Sequence, residues 1–248
     1  MAESIKRVLC TVMYHGAHYQ GWQVQVNAPT IQATIQKALS NMHHNDIKIQ
    51  GSGRTDTGVH AFGQTFHFDT PFKLTEAQWM KALNSSLPKD IRILDVQFVD
   101  QDFHARYSAV GKHYDYLILQ EEANPFTYQT HLSVIEPLDL KAMRKVASLF
   151  IGAHDFSSFC ANSKEETPNQ VRTIHALDII DEEGQIRLVF EGDGFMRYMI
   201  RMLVAVLIDV GTHKLSFDDV SRILEAKDKQ AYSGIVDGCG LYLMEVFY

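Results

Sequence analysis

Ile47-Lys48-Ile49-Gln50-Gly51-Ser52-Gly53-Arg54-Thr55-Asp56-Thr57-Gly58-Val59-His60-Ala61 leads from one expected strand, Ile47 to Gln50, through a glycine-rich loop toward a second, Gln64 to Asp69. Three glycines let the backbone adopt positive φ and approach a ligand closely. Arg54 and Asp56 are two residues apart, so an extended local chain turns both side chains to one side. Two familiar loop chemistries fail here. The glycine spacing of Gly53 and Gly58 matches a phosphate-cradling loop, but Val59-His60 stand where Lys-Ser/Thr is required. A dinucleotide fingerprint starting at Gly51 would need glycine at Asp56. An Asx turn, with the Asp56 carboxylate bonding nearby amides, is the plain structural alternative.

The chain before and after this loop has a regular rhythm. Arg7 to Tyr14 reads as a buried strand. Thr30 can cap a helix carrying Ile31, Ile35, Ala38, Leu39 and Met42 on one face. Leu74-Thr75-x-x-Gln78-Trp79 combines a capping box with a hydrophobic staple and opens a helix toward Ser85; Ile91 to Val99 then reads as a strand. The first hundred residues thus run β-α-β-β-α-β, the ferredoxin-like order. Beyond a link at Asp100 to Ser108 the theme recurs. Strands are expected at His113–Gln120 and His131–Ile135, and a helix from Asp139 with Leu140, Met143, Ala147 and Phe150 near one face. A hairpin is expected around Glu183-Gly184, joining His175–Ile180 to Gln185–Glu191. An apolar helix spans Phe195 to Val210 with Gly211 as its C′ stop, Ser216 caps Phe217 to Ala226, and Leu241 to Phe247 closes the chain as a strand.

Composition narrows the function classes. The 248 residues are 46% hydrophobic and 21% charged, as in ordinary globular chains, and no apolar stretch suits a signal peptide or membrane span. Cys10, Cys160 and Cys239 are widely spaced, which argues against a disulfide framework or zinc site and fits a reducing cytosol. The net charge of −7 sits awkwardly with a nucleic-acid partner. It is unevenly spread: residues 1–100 hold 9 Lys/Arg against 8 Asp/Glu, a balance of +1, and residues 101–248 hold 14 against 22, a balance of −8. A surface for RNA must therefore be a local patch.

Gly53-Arg54-Thr55-Asp56-x-Gly58-Val59-His60-Ala61 resembles the catalytic loop of the TruA family of tRNA pseudouridine synthases. Further stretches resemble family signatures in the family's order: Tyr19-Gln20-Gly21-Trp22-Gln23, Phe103-His104-Ala105-Arg106, Gly152-Ala153-His154-Asp155-Phe156-Ser157-Ser158-Phe159, Val171-Arg172-Thr173-Ile174 and Gly240-Leu241-Tyr242-Leu243. The resemblance covers essentially the whole chain. It implies an α+β fold of two ferredoxin-like halves, residues 1–104 and 105–248, joined in an extended mixed sheet with a central catalytic cleft. It also implies isomerisation of uridine to pseudouridine at positions 38, 39 and 40 of the tRNA anticodon arm, by a cytoplasmic homodimer, with no metal or redox cofactor.

The same resemblance assigns roles. Asp56 is the carboxylate that acts on the sugar, by attacking C1′ or by removing the 2′ proton. Arg54 fills the space left by the flipped nucleotide, because a guanidinium can stack on bases while contacting phosphate. Tyr114 packs against uracil and is available to the C5 proton; by strand periodicity alone it would be a core aromatic beside Tyr116. Arg201 matches the arginine paired with the catalytic aspartate. It is four residues from Arg197 and so expected on the same helix face, with local pairing to Asp193 or Asp209 as the structural alternative. Three departures stand out: His113 and Asp115 where arginines are common, and Asp237-Gly238-Cys239 where relatives carry Ala-Pro-Ala. His154-Asp155 with Ser157-Ser158 crowd one segment without a nucleophile elbow and are a poor triad. His43-His44 is expected to be capping or exposed. The rival from another class is a catalytically inactive RNA-binding paralogue.

Overall fold

The computed structural model describes residues 5–248, which form two compact units. One runs through Val110 and adds Tyr242–Tyr248; the other is Gly111–Leu241.

In the first unit the elements are β1 (Lys6–Tyr14), α1 (Ile31–His43), β2 (Gln50–Gly51), β3 (His60–Thr70), α2 (Glu76–Ser86) and β4 (Ile91–Val99). Antiparallel pairing gives the order β4-β1-β3-β2, in which Cys10 lies between Phe66 and Val96 and Gln50 faces His67. This is the split β-α-β arrangement expected from the sequence. Thr30 and Thr75 cap the two helices as expected, with both hydrogen bonds of the Thr75–Gln78 capping box formed. Val8, Cys10 and Val12 of β1 are buried with Ile31, Ile35 and Leu39 of α1 and Trp79 and Leu83 of α2. Strand β3 is buried on both faces from Gly63 to Phe68. The link after β4 helps cover it: the Ala105 N–H donates to Nδ1 of His67, and the Tyr248 hydroxyl donates to the Ala105 carbonyl.

Two expectations fail here for physical reasons. Ile47 to Gln50 contributes only the two-residue β2. Its backbone groups are taken instead by side chains of α1: the Ile47 and Ile49 N–H groups donate to Ser40 Oγ and Gln36 Oε1, and Gln32 Nε2 donates to the Ile49 carbonyl. His44 does take a left-handed capping conformation, but His43 is half-buried in an aromatic cluster. Its ring stacks on Phe72 at 4.3 Å and Trp79 at 5.7 Å, and its nitrogens meet the Leu39 carbonyl and Thr70 Oγ1.

The second unit comprises β5 (Gly111–Leu119), β6 (Leu132–Ser133), α3 (Leu140–Ala147), β7 (Gly152–Asp155), β8 (Val171–Glu182), β9 (Gln185–Gly192), α4 (Met199–Gly211) and α5 (Phe217–Ala226). Strand order is β5-β9-β8-β7, with β6 beside β5, so β5, β9 and β8 repeat the 1-3-2 arrangement of the first unit. The hairpin turns at Glu183-Gly184 as expected, Glu182 facing Gln185 and Gly184 at φ 78°. The strand expected at His131–Ile135 shrinks to Leu132–Ser133, while β7, in the His154-Asp155 signature, was not anticipated. A closing strand, β10 (Leu241–Phe247), runs parallel to β3 through Tyr242–His60 and Leu243–Ala61.

Helix α4 is apolar on almost every side and correspondingly buried, as a helix without a polar face must be. It begins at Met199 rather than Phe195, because Tyr198 takes a left-handed conformation (φ 65°, ψ 0°). Nor is Gly211 its C′ residue. It is the last helical residue, and a Cβ there would lie 2.8 Å from Met143 Sδ and 2.9 Å from Leu138 Cδ2. The glycine serves the approach of α3 to α4; the left-handed residue is His213, at φ 59°. Among the described residues no helix is long and apolar enough to cross a membrane.

Candidate active site

The Asp56 loop is held from below by a buried polar network. Gln64 is fully buried. Its Oε1 accepts from Ser52 Oγ at 2.6 Å and from the Thr65 N–H at 3.1 Å, and its Nε2 donates to the Gly53 carbonyl at 3.2 Å. One amide therefore ties the first turn of the loop to β3, with both ends of the amide used. The next contact is Tyr14 Oη with Thr55 Oγ1 at 2.8 Å, both buried. Burial pushes the Tyr14 phenol well above its ordinary range, so it remains a neutral hydrogen-bonding group. Thr55 faces inward between an exposed Arg54 and a half-buried Asp56. That alternation matches the extended spacing anticipated for the pair.

The segment Gly16–Trp22 holds the same loop from the other side. The Trp22 N–H donates to the Thr55 carbonyl at 3.0 Å, and the Gly16 N–H donates to Nδ1 of the buried His60 at 3.1 Å. Thr57 Oγ1 donates to Gln20 Oε1 at 3.3 Å. Gly21 permits this approach. Its φ is 80°, and a Cβ would sit 2.5 Å from the Thr55 carbonyl oxygen. Within the loop only Gly58 uses positive φ (77°), while Gly51 lies against the Trp22 indole. The Val59 N–H donates back to the Asp56 carbonyl at 3.2 Å, so the loop closes on itself just after the carboxylate.

In the second unit Tyr114 lies on β5, opposite Phe190 of β9, and is 7% exposed. Phe195 meets its ring edge-to-face at 5.4 Å. Tyr116 shares its strand face but is a different kind of residue. It is completely buried, donates its hydroxyl to the Asp237 carbonyl at 2.7 Å, and has its phenol pushed far up by burial. The departures at His113 and Asp115 form a closed group: Asp115 accepts from His113 Nε2 at 2.9 Å and lies 3.5 Å from Arg187 Nη1.

Arg201 stands in the first turn of α4, its Nε donating to the Val236 carbonyl at 2.7 Å and its guanidinium 4.9 Å from the Tyr198 ring centre. The expectation that Arg197 and Arg201 share a helix face is corrected, since Arg197 precedes the helix. It donates its Nη2 to the Ala161 carbonyl at 3.0 Å. The proposed local acidic partners are engaged elsewhere: Asp209 accepts from the Tyr232 hydroxyl, and Asp193 from the Thr173 N–H. The His154-Asp155-Ser157-Ser158 cluster is taken up by structural hydrogen bonds. Asp155 accepts from the Ser157 N–H and hydroxyl, and Ser158 Oγ accepts from the Asp228 N–H.

Sequence reasoning missed the supporting residues Gln64, Tyr14, Gly21 and Tyr198. Gly21 was visible as a glycine inside a polar signature. Gln64 and Tyr14 carried no signal, because alternation alone cannot show that a strand will be buried on both faces.

The family model described as tRNA pseudouridine synthase matches residues 11–108 and 146–248. The chain is 44% identical over 246 residues to tRNA pseudouridine synthase A of Exiguobacterium sibiricum, covering 98% of this chain and 97% of that protein. It is 42% identical over 245 residues to tRNA pseudouridine synthase A of a Geobacillus species, covering 98% of each. A chain of the solved Cbf5-Nop10-Gar1 complex is similar over 81% of this chain and 54% of its own at 13% identity, but with a TM-score of 0.34 it bears no weight. Aligned end to end with such relatives, and carrying the Arg54-Thr55-Asp56 loop on a buried polar frame, the chain belongs to the TruA family of tRNA pseudouridine synthases.

Proposed function

We propose that this protein isomerises uridine to pseudouridine at positions 38, 39 and 40 in the anticodon arm of tRNA. The observation that carries the reading is the Asp56 loop: an aspartate two residues after an exposed arginine, on a backbone fixed through Thr55, Gln64 and Gly21. Full-length similarity to proteins named tRNA pseudouridine synthase A supports it. The reaction breaks C1′–N1, turns the uracil and forms C1′–C5. The C5 proton is removed and N1 gains one, so the net change is an isomerisation. Asp56 acts on the sugar as nucleophile or base. Arg54 is exposed where a cation can replace an extruded base and meet phosphate. Tyr114 offers uracil an aromatic wall with a polar tip, and Arg201 is a further substrate-binding cation. Residues 1–104 thus supply the carboxylate and residues 105–248 the aromatic and the arginine. The working form is a cytoplasmic homodimer, which lets an acidic chain gather its cations along one tRNA.

The test is to incubate the purified protein with unmodified tRNA and map pseudouridine, wild type beside Asp56→Asn. Wild type should modify the anticodon arm. The asparagine variant should form none while binding tRNA within about tenfold, or 1.4 kcal/mol. Turnover by Asp56→Asn at the wild-type rate would end the assignment. Binding without modification by wild type would favour an inactive RNA-binding paralogue.

A further inference from the structure

Tyr198 takes a backbone conformation that a bulky residue rarely adopts, at φ 65° and ψ 0°. Such strain persists only where neighbours over-determine it, and it clusters where a side chain must be aimed. The neighbours are present on both sides. Before it, the Arg197 N–H donates to Asn162 Oδ1 at 2.8 Å, and the Arg197 carbonyl accepts from the Ala161 N–H at 3.0 Å. After it, Met199 and Ile200 are buried at the start of α4, and the Tyr198 carbonyl accepts from the Met202 N–H at 2.9 Å. What the strain achieves is the position of the ring. It stays 36% exposed, with the Arg201 guanidinium 4.9 Å and the Arg197 guanidinium 5.7 Å from its centre.

We propose that Tyr198 is a positioning residue for Arg201, its ring a shelf that fixes the plane of the guanidinium. A long flexible arginine loses rotamer freedom when it binds, and an arginine fixed beforehand has less to lose. Two of its contacts constrain the pose. The Nε–Val236 bond of 2.7 Å sets the direction of the side chain, and the Tyr198 face limits rotation about that bond. Cation–π attraction supplies the second without using any hydrogen-bond donor of the guanidinium. The left-handed backbone is needed because a right-handed Tyr198 would extend α4 backward and carry the ring to another side of the helix. The inference rests on the reading that Arg201 binds substrate.

Three variants separate the ring from the backbone. Tyr198→Phe keeps the shelf and the strain. Tyr198→Gly and Tyr198→Asn remove the ring and tolerate the left-handed conformation. Single-turnover pseudouridine formation at saturating tRNA should be near wild type for Phe and roughly tenfold slower for Gly and Asn, less than the roughly hundredfold that a fully misplaced group can cost. Thermal stability of the Gly variant should equal or exceed wild type. In an Arg201→Leu background, Tyr198→Gly should cost nothing further. A separate readout needs no substrate: the Arg201 Nε–H NMR resonance should exchange slowly with solvent in wild type and Phe, and quickly in Gly. An equal Tyr198→Gly loss with and without Arg201, a Phe variant as impaired as Gly, or unchanged Nε–H exchange in Gly would each overturn the proposal. If wild type forms no pseudouridine, the reading of the active site fails, while the exchange measurement still decides what Tyr198 does to Arg201.

Discussion

The Asp56 loop and the start of α4 both present charged side chains from a strained or tightly turned backbone, and they do so by opposite means. Around Asp56 the strain rests on glycines, and the side chains beneath it are polar and fully hydrogen-bonded: Gln64 to Ser52, Gly53 and Thr65, and Tyr14 to Thr55. At α4 the strain rests on a tyrosine, and the support is an aromatic face, one carbonyl and an apolar helix packed on nearly all sides. A loop that must hold a carboxylate against solvent gains from directional bonds, because each fixes an angle as well as a distance. A helix end gains from packing, because α4 is anchored by what it buries. The two regions should therefore break differently.

The largest contrast is expected from the charges themselves. Arg201→Leu should leave the fold intact, since its guanidinium is only half-buried, yet slow single-turnover isomerisation by about two orders of magnitude, the scale for removing a charged group that stabilises a transition state. A variant within about twofold of wild type, on a scale where tenfold is 1.4 kcal/mol, would leave Arg201 as a helix-end structural residue. Gly21→Ala probes the other region. Its Cβ would meet the Thr55 carbonyl at 2.5 Å in a left-handed conformation, so both loop and stability should suffer. A loss of about 1–3 kcal/mol by urea denaturation, with activity falling further than stability, is the expected pattern. Unchanged urea midpoints would show that the Gly16–Trp22 clamp yields without consequence.

Smaller effects sharpen the picture. Tyr114→Phe retains the ring that meets Phe195 and removes only the hydroxyl, so folding and tRNA binding should persist while isomerisation slows by about tenfold. A fully active variant would assign Tyr114 to packing and send the C5 proton elsewhere. The last effect is one of stability. Burial, with Arg7 and His104 nearby, depresses the His67 imidazole to about 4, against a small opposing pull from Asp69. In the unfolded chain it titrates near its ordinary value, so between those two values the unfolded state binds more protons and folding stability falls as pH falls. Lowering pH from about 7 to about 5 should cost about 1–2 kcal/mol through this group. His67→Asn, whose Oδ1 stands where Nδ1 accepts the Ala105 N–H, should flatten that slope. An identical slope in both proteins would place the acid sensitivity elsewhere.

By itself the sequence determined the first unit's element order, both threonine helix caps, the Glu183-Gly184 hairpin and the loop that carries Asp56. These are local: a capping box, a two-residue turn and a glycine-rich string are complete within a few residues. Its errors have a common origin. Ile47 to Gln50 has the composition of a strand, but side chains of α1 reach its backbone first. Gly211 looks like a helix stop, but the constraint on it comes from Met143 and Leu138, far away in the chain. His43 looks like a solvent-facing cap until Phe72 and Trp79 close over it. The frame under Asp56 and the shelf under Arg201 were equally illegible, since Gln64 meets Gly53, and Arg201 meets Val236, only after folding. Periodicity and capping report what a residue does to its neighbours in sequence. Tertiary structure alone decided which backbone groups were already satisfied when packing was complete, because a buried donor or acceptor takes whichever partner folding brings within reach.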